Sequence, residues 1–155
     1  MYSEKYLDKA IEIANNNVDR GGGPFGALIV KDGEVIAEAG NEVTLSNDPT
    51  AHAEILAIRK ASASLQSFDL SGCELYTSCE PCPMCLGAIY WANIDAVFYS
   101  ATHLDAMNAG FDDTDIFKEI KLPEEERSIF MKQYQSGKGT NAFKKWMEKP
   151  DKTEY

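Results

Sequence analysis

The chain is short of several things, and each shortage narrows what it can be. No run of about 18 apolar residues exists, so nothing in its 155 residues reads as a membrane-spanning helix, and no membrane partner is expected. Its opening residues, MYSEKYLDKA, lack the apolar centre of a secretion signal, so a cytoplasmic location is expected. Basic residues number 15 against 25 acidic ones, a net charge of −10, which makes nucleic acid an unlikely partner because broad backbone binding needs a basic surface. Histidine is scarce, with two, and cysteine numbers only four. In a reducing compartment so few cysteines point to metal binding or redox chemistry rather than a disulfide framework. Internal repeats and low-complexity linkers are missing too, so residues 1–155 read as a single domain large enough to bury a core.

What is there is concentrated. Three of the four cysteines fall within TSCEPCPMC, residues 77–85, with prolines between them. Taken alone, they are disulfide partners, a redox pair or metal ligands.

Hydrophobic spacing supplies the frame. Ser3 to Asp19 reads as a helix, with Leu7, Ala10 or Ile11, Ala14 and Val18 on its core face and Ser3 as a cap. RGGGPFG, residues 20–26, ends it as a loop in which Phe25 either fills a turn or walls a pocket; the lysine of a phosphate loop is absent. Two apolar runs flank Asp32-Gly33, a hairpin signal. A polar loop leads to Pro49, TAHAEILAIRKASASL has helical period, CELYTS and DAVFYS read as strands, and PMCLGAIYWANI reads as a helix between them. The order is a helix and then β-β-α-β-α-β, which predicts an α/β sandwich. Beyond residue 101, DDTDIFKEI and NAFKKWMEK read as short helices and QSGKGTN as a loop.

Cys82 and Cys85 form a C-x-x-C that opens a predicted helix directly after a strand. Such a pair also suits thiol exchange, because a helix N-terminus lowers a thiol pKa. His52 opens the preceding helix, and two helix N-termini at one end of a sheet would bring one imidazole and two thiols together, a donor set that suits zinc. Cys79, at the end of its strand, reads as a packed thiol, as does Cys73. Three protein ligands would leave a fourth position for water, whose acidity zinc raises toward neutrality. Glu54 is two residues from His52, about 200° around a helix, so the two converge only if the first turn meets the pocket end-on. There it would carry the water's proton to a leaving group. Glu80 is a second carboxylate nearby, read as a support within the turn.

HAE, a spacer of about a strand and a helix, then PCPMC is the signature of zinc deaminases. The chain resembles the cytidine and nucleobase deaminase superfamily, and within it the branch acting on guanine, through GGPFGALIVKDG, SNDPTAHAEILAIRKA, YTSCEPCPMCLGAIYWA and AGFDD. That resemblance implies a three-layer α/β/α sandwich with a central mixed sheet of about five strands. It also implies one zinc ion per subunit and hydrolysis of guanine to xanthine and ammonia. Carried over residue by residue, His52, Cys82 and Cys85 match the zinc ligands and Glu54 the proton shuttle. Asp113 matches a catalytic carboxylate near the base. Asn41, Phe25, Trp91, Ala53 and the terminal Tyr155 match substrate contacts. The family further implies a homodimer exchanging its C-terminal tail, here about residues 120–155, so that Asp113 and Tyr155 would serve a partner's pocket.

Rival readings keep part of this pattern. A guanosine deaminase would share every motif and differ only in room for ribose. A tRNA adenosine deaminase shares DPTAHAEI and the two cysteines but fits poorly with the acidic charge. A cytosine deaminase is a weaker third, and a noncatalytic zinc module or a redox protein would have no need of Glu54.

Overall fold

The computed structural model describes residues 2–155, which divide into two compact units, the first ending at Asp113 and the second spanning Thr114–Tyr155. The first unit runs α1 (Glu4–Asp19), β1 (Gly23–Lys31), β2 (Glu34–Asn41), α2 (Val43–Ser46), α3 (Ala53–Leu65), β3 (Cys73–Cys79), α4 (Pro83–Trp91), β4 (Ala96–Ala101) and α5 (His103–Asn108). Its sheet has the order β2-β1-β3-β4. β1 pairs antiparallel with β2 and β3, while β3 and β4 run parallel, so the sheet is mixed. Among the described residues it has four strands, the number in the β-β-α-β-α-β reading, rather than about five.

The hairpin sits where Asp32-Gly33 placed it. Both residues have positive φ, 51° and 81°, as a type I′ turn requires. Tyr6, Ala10, Leu28, Val30 and Tyr76 pack between α1 and one face of the sheet. Ala27, Ile29, Leu75, Ala53, Ala57, Ala61 and Ile89 form a second core on the other face, under α3 and α4. Helices on both faces make the three-layer α/β/α sandwich.

Two local expectations change. Ser3 stands at the N-cap of α1, but its side chain makes no capping bond; its backbone N–H donates to the Tyr76 hydroxyl at 3.1 Å instead. The buried stripe of α1 is Tyr6, Ala10, Ala14 and Asn17, and Val18 faces outward. Eight residues after Ala10 a helix has drifted about 80° off line, whereas seven residues leave it only about 20° off, so the polar Asn17 takes the core position.

The glycine stretch also differs from a plain loop. Gly23–Gly26 is the start of β1, with an irregular register against β2 between Gly23 and Gly26. A Cβ at Gly26 would lie 2.4 Å from Ala10 O and 2.6 Å from Ala14 N, so glycine is what lets α1 lie this close to the strand.

The second unit holds α6 (Thr114–Glu119), a 3₁₀ turn at Glu124–Glu126 and α7 (Asn141–Glu148). None of its residues is buried. No helix of the described residues is long and apolar enough to cross a membrane.

Candidate metal centre and catalytic site

His52 and Cys82 occupy equivalent places. Each is the extended N-cap of a helix, His52 for α3 and Cys82 for α4, with Pro83 at the first helical position of α4. Their carbonyls accept the first intrahelical bonds, from Leu56 N at 3.0 Å and Leu86 N at 2.9 Å. Glu54 and Cys85 follow within the first turns, so both helices meet the site end-on and the 200° between His52 and Glu54 is no obstacle.

His52 Nδ1 lies 3.5 Å from Cys82 Sγ and 3.5 Å from Cys85 Sγ. The three donor atoms all fall within 4.8 Å of one another, which is the spacing of ligands sharing one metal ion. One imidazole and two thiols fit zinc in a set of three, the number a catalytic zinc site uses. Cys79 and Cys73 stay outside this group as packed thiols. Cys79 Sγ is turned to Thr102 O at 3.5 Å, and burial, with the Glu54 charge, pushes its pKa up to about 11. Cys73 is fully buried in the core.

Glu54 is 6% exposed. Its Oε2 lies 3.5 Å from Cys85 Sγ and its Oε1 3.5 Å from the Thr77 hydroxyl, both long contacts. Burial raises its pKa, so it can hold a proton more readily than a surface glutamate. In the metal-free protein the two cysteines share their protons unequally. The Cys85 thiol stabilises a Cys82 thiolate, His52 adds its own bond and charge, and Cys82 drops to about 4. Cys85 is driven upward by the same bond and by burial. His52 is raised by its bond to Cys82. A bound metal would take both thiols as thiolates.

The remaining expected site residues are spread unequally. Asn41 ends β2, 7% exposed; its Oδ1 accepts Val43 N–H at 3.2 Å, the turn cap that asparagine favours. Ala53 is fully buried at the first position of α3, between His52 and Glu54. Asp113 precedes α6; burial raises its pKa, and the Cys82 thiolate of its own chain adds to the rise, so it lies within electrostatic reach of the cluster. Phe25 is half-buried and stacks edge-on against Phe111, with ring centroids 5.0 Å apart. The two rings line a cavity of about 290 Å³ beside α1, with Ser78, Cys79 and Asp105. His52, Glu54, Cys82 and Cys85 do not line that cavity. Trp91 is not brought to the metal cluster of its own chain. It ends α4, nine residues and about 13 Å of helix from Cys82, and lines an open groove with Ile58 and Phe68. Tyr155 belongs to the second unit and is exposed.

One group escaped the sequence, and another took a partner other than the one expected. Thr77 meets Glu54 from β3, an interior strand of the sheet, a contact no local spacing announces. Glu80 accepts from His103 N at 3.1 Å and pairs with His103 Nδ1 at 2.9 Å, which holds its carboxyl below the usual range. It ties the cysteine turn to α5 rather than supporting the turn from within. The signal for α5 was present in Thr102-x-x-Asp105, which forms a capping box.

This arrangement of two helix N-termini over a mixed sheet is that of a zinc-dependent deaminase domain, and the chain belongs to the cytidine and deoxycytidylate deaminase family, whose zinc-binding region it matches over residues 1–101. It is similar over its whole length to the guanine deaminase of Bacillus subtilis (strain 168), with 56% identity over 156 aligned residues covering 100% of both chains. The crystal structure of Bacillus subtilis guanine deaminase superposes with a TM-score of 0.97, covering 100% of this chain and 99% of that one. A tRNA-specific adenosine deaminase of Aquifex aeolicus (strain VF5) is 44% identical over 110 residues, 71% of this chain and 72% of the relative.

Proposed function

We infer that the protein hydrolyses guanine to xanthine and ammonia, with one zinc ion per chain. The observation that carries this is the His52–Cys82–Cys85 group with Glu54 buried against it, in a chain similar end to end to a guanine deaminase. The match to the adenosine deaminase relative covers 71% of this chain, against 100% for the guanine deaminase, and the charge of −10 speaks against a tRNA substrate.

His52 Nδ1, Cys82 Sγ and Cys85 Sγ would hold the zinc, which when bound would supply a water acidified toward neutral pH. Glu54 moves the proton. It would take up a proton as water adds to the ring carbon and return it to the exocyclic amine, so that a C–O bond replaces the C–N bond and ammonia leaves. Its burial suits both halves of that exchange, since a raised pKa brings proton gain and loss closer in energy at neutral pH. We read Asp113 as a second carboxylate near the departing amine, a role that its electrostatic reach to Cys82 supports. Asn41, whose Oδ1 is occupied by Val43 N–H, presents its Nδ2 to an acceptor on the purine edge. Phe25 and the helix start at Ala53 border the flat ring, and a buried edge-reading group discriminates strongly against bases that leave it unpaired.

Tyr155 reaches a base on one reading only, that of a homodimer exchanging its C-terminal segment; such an exchange does not move Trp91, which stays at the end of α4. The exposure of Ile116, Ile120, Phe130, Tyr134, Phe143 and Trp146 in the second unit supports that reading, because apolar surface of this extent ordinarily meets a partner. Light scattering at assay concentration reads it directly: twice the chain mass is expected, and a monomer contradicts it. The four cysteines are free thiols, in keeping with a reducing cytoplasm.

The test of function is ammonia release by zinc-loaded protein offered guanine, guanosine, adenine, cytosine and cytidine separately. Turnover confined to guanine is expected. Preference for guanosine would mean room for a ribose, and silence on all five would reject the assignment.

A further inference from the structure

The glycine-rich start of β1 has a polar object at its centre. Asn17, two residues before the end of α1, is 2% exposed. Its Nδ2 donates to Gly23 O at 2.8 Å and to Asn41 O at 2.8 Å, so one amide ties the first residue of β1 to the last residue of β2. Gly22 N–H in turn donates to the Asn17 carbonyl at 2.9 Å. Its Oδ1 is buried and has no hydrogen-bond donor in reach among the described residues, so the side chain is held by its two donated bonds.

Glycines wall this amide on two sides. A Cβ at Gly22 would stand 2.3 Å from Asn17 Nδ2, and one at Gly40 would stand 2.4 Å from Asn17 Oδ1. A Cβ at Gly23 would press on Asn41 itself, 2.9 Å from its Oδ1. The run of glycines is therefore the space that the two asparagines occupy, and any side chain there would push one of them aside.

We propose that Asn17 is a positioning residue for Asn41: by holding the Asn41 carbonyl and the facing Gly23 carbonyl together, it fixes the direction in which the Asn41 amide meets the purine edge. The proposal rests on the placement of Asn41 at the substrate. Asn17 touches no substrate and acts through a backbone it shares with Asn41. Without it, the end of β2 keeps its pairing to β1 but loses the one side chain that locks its last peptide, and Asn41 samples directions that do not reach the base. The consequence falls on binding rather than on the proton transfer at Glu54, which sits on α3.

A double-variant cycle on the zinc-loaded full chain tests this, with guanine as substrate and with zinc content and melting temperature measured for each protein. Asn17→Ala is expected to raise KM about three- to tenfold, the scale of a lost hydrogen bond, with kcat and zinc content near those of the parent. In the Asn41→Ala background the same change is expected to add nothing, because the group it positions is gone. Asn17→Ser, which keeps one shorter donor, is expected to recover part of the loss, and it carries the same cycle if Asn17→Ala does not fold. Multiplying effects in the double variant, or an unchanged KM in a folded Asn17 variant, would overturn the proposal while leaving Asn41 in place. An Asn41→Ala protein with the parent's KM would instead remove Asn41 from the substrate site, and the proposal with it.

Discussion

The hydroxyl of Thr77 lies 3.5 Å from Oε1 of Glu54, across the boundary between the central sheet and the first turn of α3. Thr77 is 1% exposed and points to the same side of β3 as α3, whose Glu54 it meets. The acid is thus set between a strand hydroxyl and the Cys85 sulfur, with little water around it. Glu54→Gln keeps the volume and both neighbours but cannot carry a proton. It is expected to retain zinc and melting temperature while kcat for guanine falls by about 10²- to 10⁴-fold, the usual contribution of a placed acid–base group. Full activity would remove Glu54 from the mechanism.

Thiol reactivity reports the unequal cysteines. With the metal removed by a chelator, Cys82 is a thiolate at neutral pH, since its pKa lies at about 4. Cys79, at about 11, and the buried Cys85 and Cys73 are not. Iodoacetamide is expected to label Cys82 first, as read by peptide mass spectrometry, and zinc is expected to protect it. Equal labelling of all four thiols in a folded protein would contradict the geometry.

Tyr76 sets an alkaline limit on stability. Its ring is fully buried, and burial, with its bond to the Glu74 carboxylate at 2.9 Å, raises its pKa to about 12. Because the folded value is raised above the ordinary value of 10.0, the unfolded chain loses this proton first as pH rises. The contribution is whole below pH 10 and is lost as the pH climbs through the folded value. Denaturant midpoints are expected to fall across this window in the parent and to fall less steeply in Tyr76→Phe. Identical pH profiles for the two proteins would refute the assignment.

Gly26→Ala tests the seating of α1. The added methyl meets backbone atoms of Ala10 and Ala14, which cannot swing away as a side chain can. A loss of about 1–3 kcal/mol or more is expected, the range for overpacking a closed interior. Gly33→Ala has open space around its new Cβ and is strained only through its positive φ, so it should cost less. Equal losses would mean that α1 yields.

Much of this was legible from local pattern. Asp32-Gly33 marked the hairpin because a two-residue turn with positive φ needs those residue types, and HAE with PCPMC marked two helix N-termini because the ligands open the helices themselves. Nonlocal facts were not legible. Helical period turns residue 17 rather than 18 inward, but only the carbonyls at the ends of β1 and β2 make an asparagine at home there, and Thr77 meets Glu54 only because β3 lies under α3. Trp91, matched as a pocket wall from its place in the motif, sits a helix length from the metal ligands of its own chain. The order of strands, with β1 between β2 and β3, likewise comes from pairing across the chain.

The central claim is zinc-dependent guanine deamination at His52, Cys82 and Cys85. The most direct measurement titrates zinc into metal-free protein while following conversion of guanine to xanthine. Activity is predicted to be absent without metal and to rise linearly to a break at one zinc per chain. Guanine turnover by the metal-free protein, or none with the site fully loaded, would contradict it.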